Sequence, residues 1–261
     1  MSPNGSIRPI SGSGVLVDPK GIILTNAHVA QYVLLSESPR VGLNCYIRTG
    51  SPAVLRWIPK VMYLPPAWME AHAVDITSAR PVGTGEHDYA LLSIVGSADG
   101  APLPTSFPFV APDTREAIGF LGDQVIAASY PAEFIGSSAG FNIYSASSIT
   151  SIRQLFTFVD STVDVISVGG VIEAQSGSSG GAIVNAWNRL IGIITTTSDG
   201  ATTADRDLRA ITLSYINRDI AAQSGSNLST TLSGNPVAQT EQFSAHTAPR
   251  LIKMLLDQIL K

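Results

Sequence analysis

Ser176-Gly177-Ser178-Ser179-Gly180-Gly181-Ala182-Ile183-Val184-Asn185 is the stretch on which the reading of this chain turns. Glycines around a serine let the backbone turn tightly and bring successive amide N–H groups toward one point. The AIVN that follows reads as a strand. Gly177–Gly181 also fits the pattern G-x-S-x-G, as does Gly136–Gly140. In the α/β-hydrolase elbow that pattern leads from a strand into a helix, with the acid and the histidine later in the chain. Here AIVN and FNIYSAS follow the two windows, both strand-like. The one histidine after them, His246, lies in polar text just ahead of the last helix. The elbow reading fails.

Working upstream, two further strings stand in the same kind of context. TNAHVA (25–30) places His28 at the end of an apolar strand, followed by a short turn. EHDYALLSI (86–94) places Asp88 just before an alternating apolar run. The order along the chain is His, Asp, Ser, with gaps of 60 and 91 residues. An unassisted serine hydroxyl is a poor nucleophile, and a histidine within reach can take its proton during attack on a carbonyl. A carboxylate on the other ring nitrogen sets the tautomer and tolerates the charged ring. Ser179, His28 and Asp88 are the residue types that chemistry needs.

The surrounding text is a series of short β-like runs bounded by Gly, Pro, Ser or Asp. GVLVD, GIILTN, NCYIRTG, AVLRWI and YALLSIV fill the first hundred residues. ADGAPLPTSFPFVAPDTRE (98–116) is Pro-rich and reads as a linker. DQVIAASY, FNIYSAS, FTFVDSTVDVISV, GAIVNAW, LIGIITTT and RAITLSYI make a second series. Two strings of about six strands predict an all-β chain of two packed antiparallel six-stranded β-barrels. The expected division is 1–104 for the first barrel, 105–116 for the linker, 117–221 for the second barrel, and 222–261 for a polar linker and a C-terminal amphipathic helix.

Composition narrows the classes further. With 261 residues, 23 Gly and 16 Pro, the chain is turn-rich without being low-complexity. Charged residues make up only 14%, and the net charge is −4. That lacks the clustered basic footprint of a protein that grips phosphate backbone, so no nucleic acid is expected as partner. Cys45 is the single cysteine, which excludes an internal disulfide. In LNCYIR it reads as an alternating strand position, a buried small apolar residue rather than a nucleophile. No run approaches the ~18 apolar residues of a membrane span, and the N-terminus shows no signal-peptide core. A soluble chain is expected.

Taken together, the strings around His28, Asp88 and Ser179 resemble trypsin-like serine peptidases of the bacterial HtrA-related kind, without a PDZ domain. GSGVLVDPKGIILTNAHV (12–29) is similar to that family's first hairpin, and GDQVIAASYP (122–131) to the first strand of its second barrel. VNAWNRLIGIITT and RAITLSYI are similar to the hairpin and strand after the nucleophile. The resemblance implies a chymotrypsin-like fold and a serine endopeptidase acting on polypeptide through an acyl-enzyme on Ser179. His28 would be general base and acid, and Asp88 would orient it. No metal or organic cofactor is implied, and a catalytically inactive peptide-binding relative is the alternative. An oxyanion hole is implied at Gly177, Ser178 and Ser179, through the N–H groups of Gly177 and Ser179. The residue six before the nucleophile, Glu173, is implied at the floor of the primary pocket, favouring Arg or Lys in the substrate. Small or aliphatic preference is the alternative. Thr195, Thr196 and Thr197 are implied on the substrate-binding strand, and Ala210 or Thr212 near the pocket's second wall. Ser178 stands where the animal digestive branch has Asp before the nucleophile, so activation by a newly cut N-terminus is not expected.

The other histidines carry less. His72 sits in the insertion VMYLPPAWMEAHAVD (61–75), whose Tyr63 and Trp68, with Trp57 upstream, read as barrel packing rather than a substrate rim. His87 flanks Asp88, where alternation points it the other way. A zinc site from His28, His72, His87 and Asp88 matches no known ligand spacing. TAPRLIKMLLDQILK (247–261) is the one convincing helix: Leu251, Ile252, Leu255, Leu256, Ile259 and Leu260 draw one apolar stripe. The resemblance places it on the second barrel. Self-association through it is the alternative, allowed by the Ser/Gly/Thr-rich text ahead of it.

Overall fold

Ile22–Thr25 is buried at every position, and the first sheet grows outward from it. The structure, a computed structural model, describes residues 10–78, 83–133, 143–158 and 161–260. The Gly136–Gly140 window therefore lies outside the described residues, as does the start of FNIYSAS. The first sheet holds β1 (Val15–Asp18), β2 (Ile22–Thr25), β3 (Ile47–Thr49), β4 (Val54–Tyr63) and β5 (Ala90–Ser97). They pair antiparallel in the order β1-β2-β5-β4-β3. The second sheet holds β6 (Gln124–Ser129), β7 (Ala146–Ser151), β8 (Gln154–Phe156), β9 (Val165–Gly169), β10 (Ala182–Asn185), β11 (Leu190–Thr197) and β12 (Leu208–Thr212). Its order is β7-β6-β10-β11-β12-β9-β8, again antiparallel.

Among the described residues the architecture is thus two antiparallel half-barrel sheets of five and seven strands, where six and six were expected. β4 runs from the expected strand AVLRWI on into VMY, the start of the insertion, as one ten-residue strand. The two sheets share a core in which Val15, Val17, Leu24 and Leu91 of the first meet Val165, Ala182, Ile193 and Ile211 of the second. The segment from 98 to 116 is strapped rather than free. Phe107 donates its N–H to Pro19 O, Val110 to Leu16 O and Asp113 to Leu190 O.

The expectation of an all-β chain with one terminal helix is corrected. Six α-helices are described: α1 (Ala27–Ser36), α2 (Pro66–His72), α3 (Leu213–Ser224), α4 (Leu228–Ser233), α5 (Pro236–His246) and α6 (Ala248–Ile259). His28 lies in the first turn of α1 rather than at a strand end. The helix forms because Ala27, Ala30, Gln31 and Leu34 fall on one buried face. The polar text after residue 222 folds as capped short helices. Asn227 accepts from Thr230 N–H, Asn235 accepts from Val237 N–H, and Lys20 Nζ donates to Leu232 O and Gly234 O. Serines, asparagines and glycines that look like a linker are here supplying caps. Cys45 precedes β3 instead of lying in it, partly buried, its thiol on Tyr32 O.

α6 begins after Thr247, with Pro249 in its first turn, but it docks on the first sheet, not the second. Leu251, Leu255 and Leu256 are buried with Ile23, Val61, Leu64, Trp68 and Met69, beside Phe243 of α5. The helix that packs on the second sheet is α3, through Leu213, Ile216 and Ile220. The insertion between His28 and Asp88 explains the difference, because α2 and the turn after it supply the apolar bed for α6. Its aromatics pack as expected: Trp68 is buried, Trp57 meets Phe107 edge-on, and Tyr63 stacks on Tyr89.

Candidate active site

Asp88 is a heavily bonded side chain at the junction of the two sheets. It follows a tight turn in which its N–H reaches Gly85 O. Gly85 has φ +94°, and a Cβ there would press on Thr195 Cγ2 at 3.0 Å, so glycine suits both the turn and the close approach. The carboxylate is buried and accepts three hydrogen bonds. His28 Nδ1 lies 2.7 Å from Oδ2, His28 N–H reaches Oδ1 at 3.0 Å, and Thr195 Oγ1 donates to Oδ2 at 2.8 Å. Asn26 Nδ2 adds a bond to the Asp88 carbonyl at 2.8 Å.

The backbone N–H of His28 is one of the donors a helix leaves unsatisfied in its first turn. Asp88 therefore caps α1 from outside the helix while holding the ring, and the helix N-terminus favours its negative charge. Burial pushes the Asp88 carboxyl up, but the His28 charge, the bonds from His28 and the Thr195 hydroxyl outweigh it, and the net direction is down. For His28, burial pulls the imidazole down, and the Asp88 charge and hydrogen bond overcome that, so its pKa is raised above the ordinary 6.5. A ring whose Nδ1–H is given to a carboxylate keeps the Nε2 lone pair free. The His28 side chain is 30% exposed, which leaves that edge reachable.

Ser179 sits in the loop between β9 and β10, partly buried. Its carbonyl accepts from Ser13 N–H at 2.7 Å, which seats the loop against the segment just ahead of β1, and Ser13 O in turn accepts from Thr25 Oγ1 at the end of β2. Gly180 (φ +86°) is required by that seat: a Cβ would lie 2.1 Å from Ser13 O and 2.4 Å from Thr25 Oγ1. Gly177 (φ +94°) is likewise pressed against Tyr130 O and Ala132. Among the described residues, the N–H groups of Gly177 and Ser179 have no acceptor in the protein. Ser178 turns inward and accepts from Ser129 Oγ at 2.9 Å. Among the described residues no hydrogen bond joins Ser179 Oγ to His28 Nε2.

The remaining expected residues divide. Thr195 gives its hydroxyl to Asp88, and Thr196 and Thr197 continue β11 opposite Arg209 and Leu208. Glu173 is fully buried. Ser148 Oγ of β7 donates to Oε1 at 3.1 Å, Oε2 has no hydrogen-bond partner among the described residues, and burial raises its pKa. Ala210 is buried in the core of the second sheet. The Thr212 hydroxyl accepts from Tyr215 N–H to cap α3 and bonds Val163 O, at the far end of β12 from Thr197. His87 does turn away from His28, but in a turn with φ +57° rather than by strand alternation. It pairs with Asp219 of α3 at 2.9 Å, and His72 pairs with Asp75 at 2.9 Å, so the zinc grouping is not assembled.

Sequence reasoning missed Ser13 and Thr25. Thr25 Oγ1 donates to Ser13 O, and Ser13 Oγ donates to Gly177 O, linking the strand before His28 to the loop of Ser179. Both stand in quoted motif text, and each is a small hydroxyl residue beside a glycine or at a strand end. Their partners are 12 and 164 residues away, so no local pattern announces them.

The family model described as "Trypsin-like peptidase domain" matches residues 12–193. Comparison with curated proteins yields no match. Among solved structures, the HtrA-type protease AlgW with decapeptide is 20% identical, with 82% of this chain and 52% of that one covered and a TM-score of 0.48. An inactive form of Rv3671c from M. tuberculosis H37Rv is 16% identical, with 82% of each chain covered and a TM-score of 0.46. The MamO protease domain from Magnetospirillum magneticum is 16% identical, with 77% of this chain and 83% of that one covered and a TM-score of 0.44.

Proposed function

The chain belongs to the trypsin-like peptidase domain family, and on that premise we propose that it is a serine endopeptidase with Ser179 as nucleophile, His28 as general base and acid, and Asp88 orienting His28. One observation carries the reading. A buried carboxylate takes the Nδ1 side of an imidazole, and the glycine-flanked serine loop is seated on Ser13, which is itself bonded to Thr25 at the end of the strand leading to that imidazole.

The steps balance as follows. Ser179 Oγ attacks the carbonyl carbon of the scissile bond while His28 Nε2 takes the hydroxyl proton. Negative charge gathers on the carbonyl oxygen, where the N–H groups of Gly177 and Ser179 would hold it. A donor of this kind is worth roughly 3–4 kcal/mol of transition-state stabilisation. Collapse breaks the C–N bond as His28 returns the proton to the leaving amine. Water then attacks the ester with His28 as base, the C–Oγ bond breaks, and Ser179 recovers its proton. Asp88 stays anionic throughout, in keeping with its lowered pKa. The substrate is polypeptide. Glu173 supports a preference for Arg or Lys, because its partnerless buried Oε2 is an acceptor that a substrate cation would satisfy.

A second reading, a peptide-binding relative without turnover, is favoured by the missing hydrogen bond between Ser179 and His28. Such bonds are often long in unliganded enzymes and tighten with substrate. Labelling with a fluorophosphonate separates the two. The folded wild type is expected to label and Ser179→Ala to stay blank. A folded wild type that stays blank beside a reacting control protease refutes the enzyme reading.

A further inference from the structure

We propose that Ser13 is a positioning residue for the oxyanion hole, a role that rests on the reading of Ser179 as nucleophile. Ser13 is buried just ahead of β1, at the junction of the two sheets. All three of its polar groups are committed. Its N–H donates to Ser179 O at 2.7 Å, its hydroxyl donates to Gly177 O at 2.8 Å, and its carbonyl accepts from Thr25 Oγ1 at 2.6 Å. The hydroxyl also accepts from Tyr130 N–H at 2.9 Å. Since that N–H can only donate, the hydroxyl proton is left to Gly177 O, and the rotor has one satisfied setting.

Gly177 and Ser179 are the two residues whose N–H groups would face the oxyanion, and Ser13 holds the carbonyl of each. The N–H directions follow from the preceding peptides. Ser176 O accepts from Ala132 N–H at 2.8 Å and Ser178 O accepts from Gly181 N–H at 2.8 Å. In a planar trans peptide the N–H points opposite the C=O, so those bonds turn both donors away from the loop's own anchors. What they leave is the Gly177–Ser178 peptide, set on a glycine at φ +94° that has no side chain to restrict it. Its N–H reaches Gln175 O within the loop at a long 3.3 Å, and its carbonyl takes the Ser13 hydroxyl at 2.8 Å, so Ser13 is the latch from outside the loop. It touches no substrate, and its effect passes through the Gly177 backbone.

Ser13→Ala removes the latch while keeping the N–H bond to Ser179 O. The expected result is kcat lower by about tenfold, the weight of about one net hydrogen bond, with KM within about twofold. Affinity for a peptide aldehyde, whose hemiacetal oxygen occupies the hole, should fall by the same factor as kcat. The acid limb of kcat/KM should not move, because His28 and Asp88 are untouched. Ser13→Thr, which keeps the hydroxyl, should recover most of the loss. Should Ser13→Ala be unfolded at assay temperature, Ser13→Cys takes its place with an intermediate kcat expected. Wild-type kcat and aldehyde affinity in either variant, or a loss confined to KM, overturns the inference while an active wild type leaves the endopeptidase reading standing. A wild type silent toward both substrate and fluorophosphonate overturns that reading and this inference with it.

Discussion

Thr195 donates its hydroxyl to Asp88 Oδ2 at 2.8 Å across the junction of the two sheets. The cause is a slip in β11. Ile194 faces Ala210 and Thr196 faces Arg209, so Thr195 is the extra residue of a bulge. Bulges re-aim side chains beside functional sites, and here the re-aimed hydroxyl becomes the third donor to a buried carboxylate.

Thr195→Val should therefore cost stability of about 2 kcal/mol at neutral pH, the weight of a hydrogen bond to a charged group. The pH dependence has a fixed sign. The Asp88 pKa is lowered by folding, so its stabilisation is present above the unfolded value near ~4 and is lost as pH falls through the folded one. Urea unfolding of both proteins should show a gap at pH 7 that closes in acid. A gap equally wide in acid would remove Asp88 from the explanation.

The activity profile should carry the mark of His28. Its pKa is raised by Asp88, and in the proposed mechanism the neutral ring is the base, so kcat/KM should fall on the acid side with a midpoint above 6.5. Asp88→Asn should lower kcat by about 10⁴-fold by losing the tautomer. It should also move that midpoint down. An acid limb unchanged in Asp88→Asn would assign it to another group.

Glu173 makes two measurable differences. Burial raises its pKa, so the fold favours its protonated form; that advantage is full below the unfolded value near ~4.3 and lost as pH rises through the folded one. Glu173→Gln should gain stability relative to wild type between pH 4 and pH 8, and parallel curves would refute the buried carboxylate. In an N-terminomic cleavage profile, wild type should prefer Arg or Lys before the cut, and Glu173→Ala should lose that preference. A profile of small or aliphatic residues, indifferent to the substitution, rejects the pocket assignment.

α6 is part of the first sheet's core, so its leucines should behave as core residues. Leu255→Ala should cost about 2–5 kcal/mol by the cavity it leaves. Truncation at residue 240 should lower the stability of a chain that was monomeric beforehand. An oligomer that instead separates into stable active monomers would assign the helix to self-association.

Much of this was legible in one dimension. Short apolar runs bounded by turn residues marked strands wherever one strand occupies one run, as in GIILT and YALLSIV, and the three motifs marked the residues to watch. Local chemistry decides those features: a short β-branched apolar run between turn residues favours a strand, and a tight loop needs glycine. Other features depended on partners far along the chain. TNAHVA reads as strand and turn because the face that makes α1 a helix is defined only by what buries it. The serines and asparagines after residue 222 read as linker because a cap and a loop use the same residue types. The stripe on α6 required a partner without naming it, and the bed supplied by Trp68 and Met69 drew it to the first sheet. Ser13, Thr195 and the Gly177 carbonyl show the limit most plainly. Each hydrogen bond is short, but its two ends are brought together only by packing two sheets. Residue order along the chain therefore determined which groups could do the chemistry, and tertiary packing alone decided which groups hold them in place.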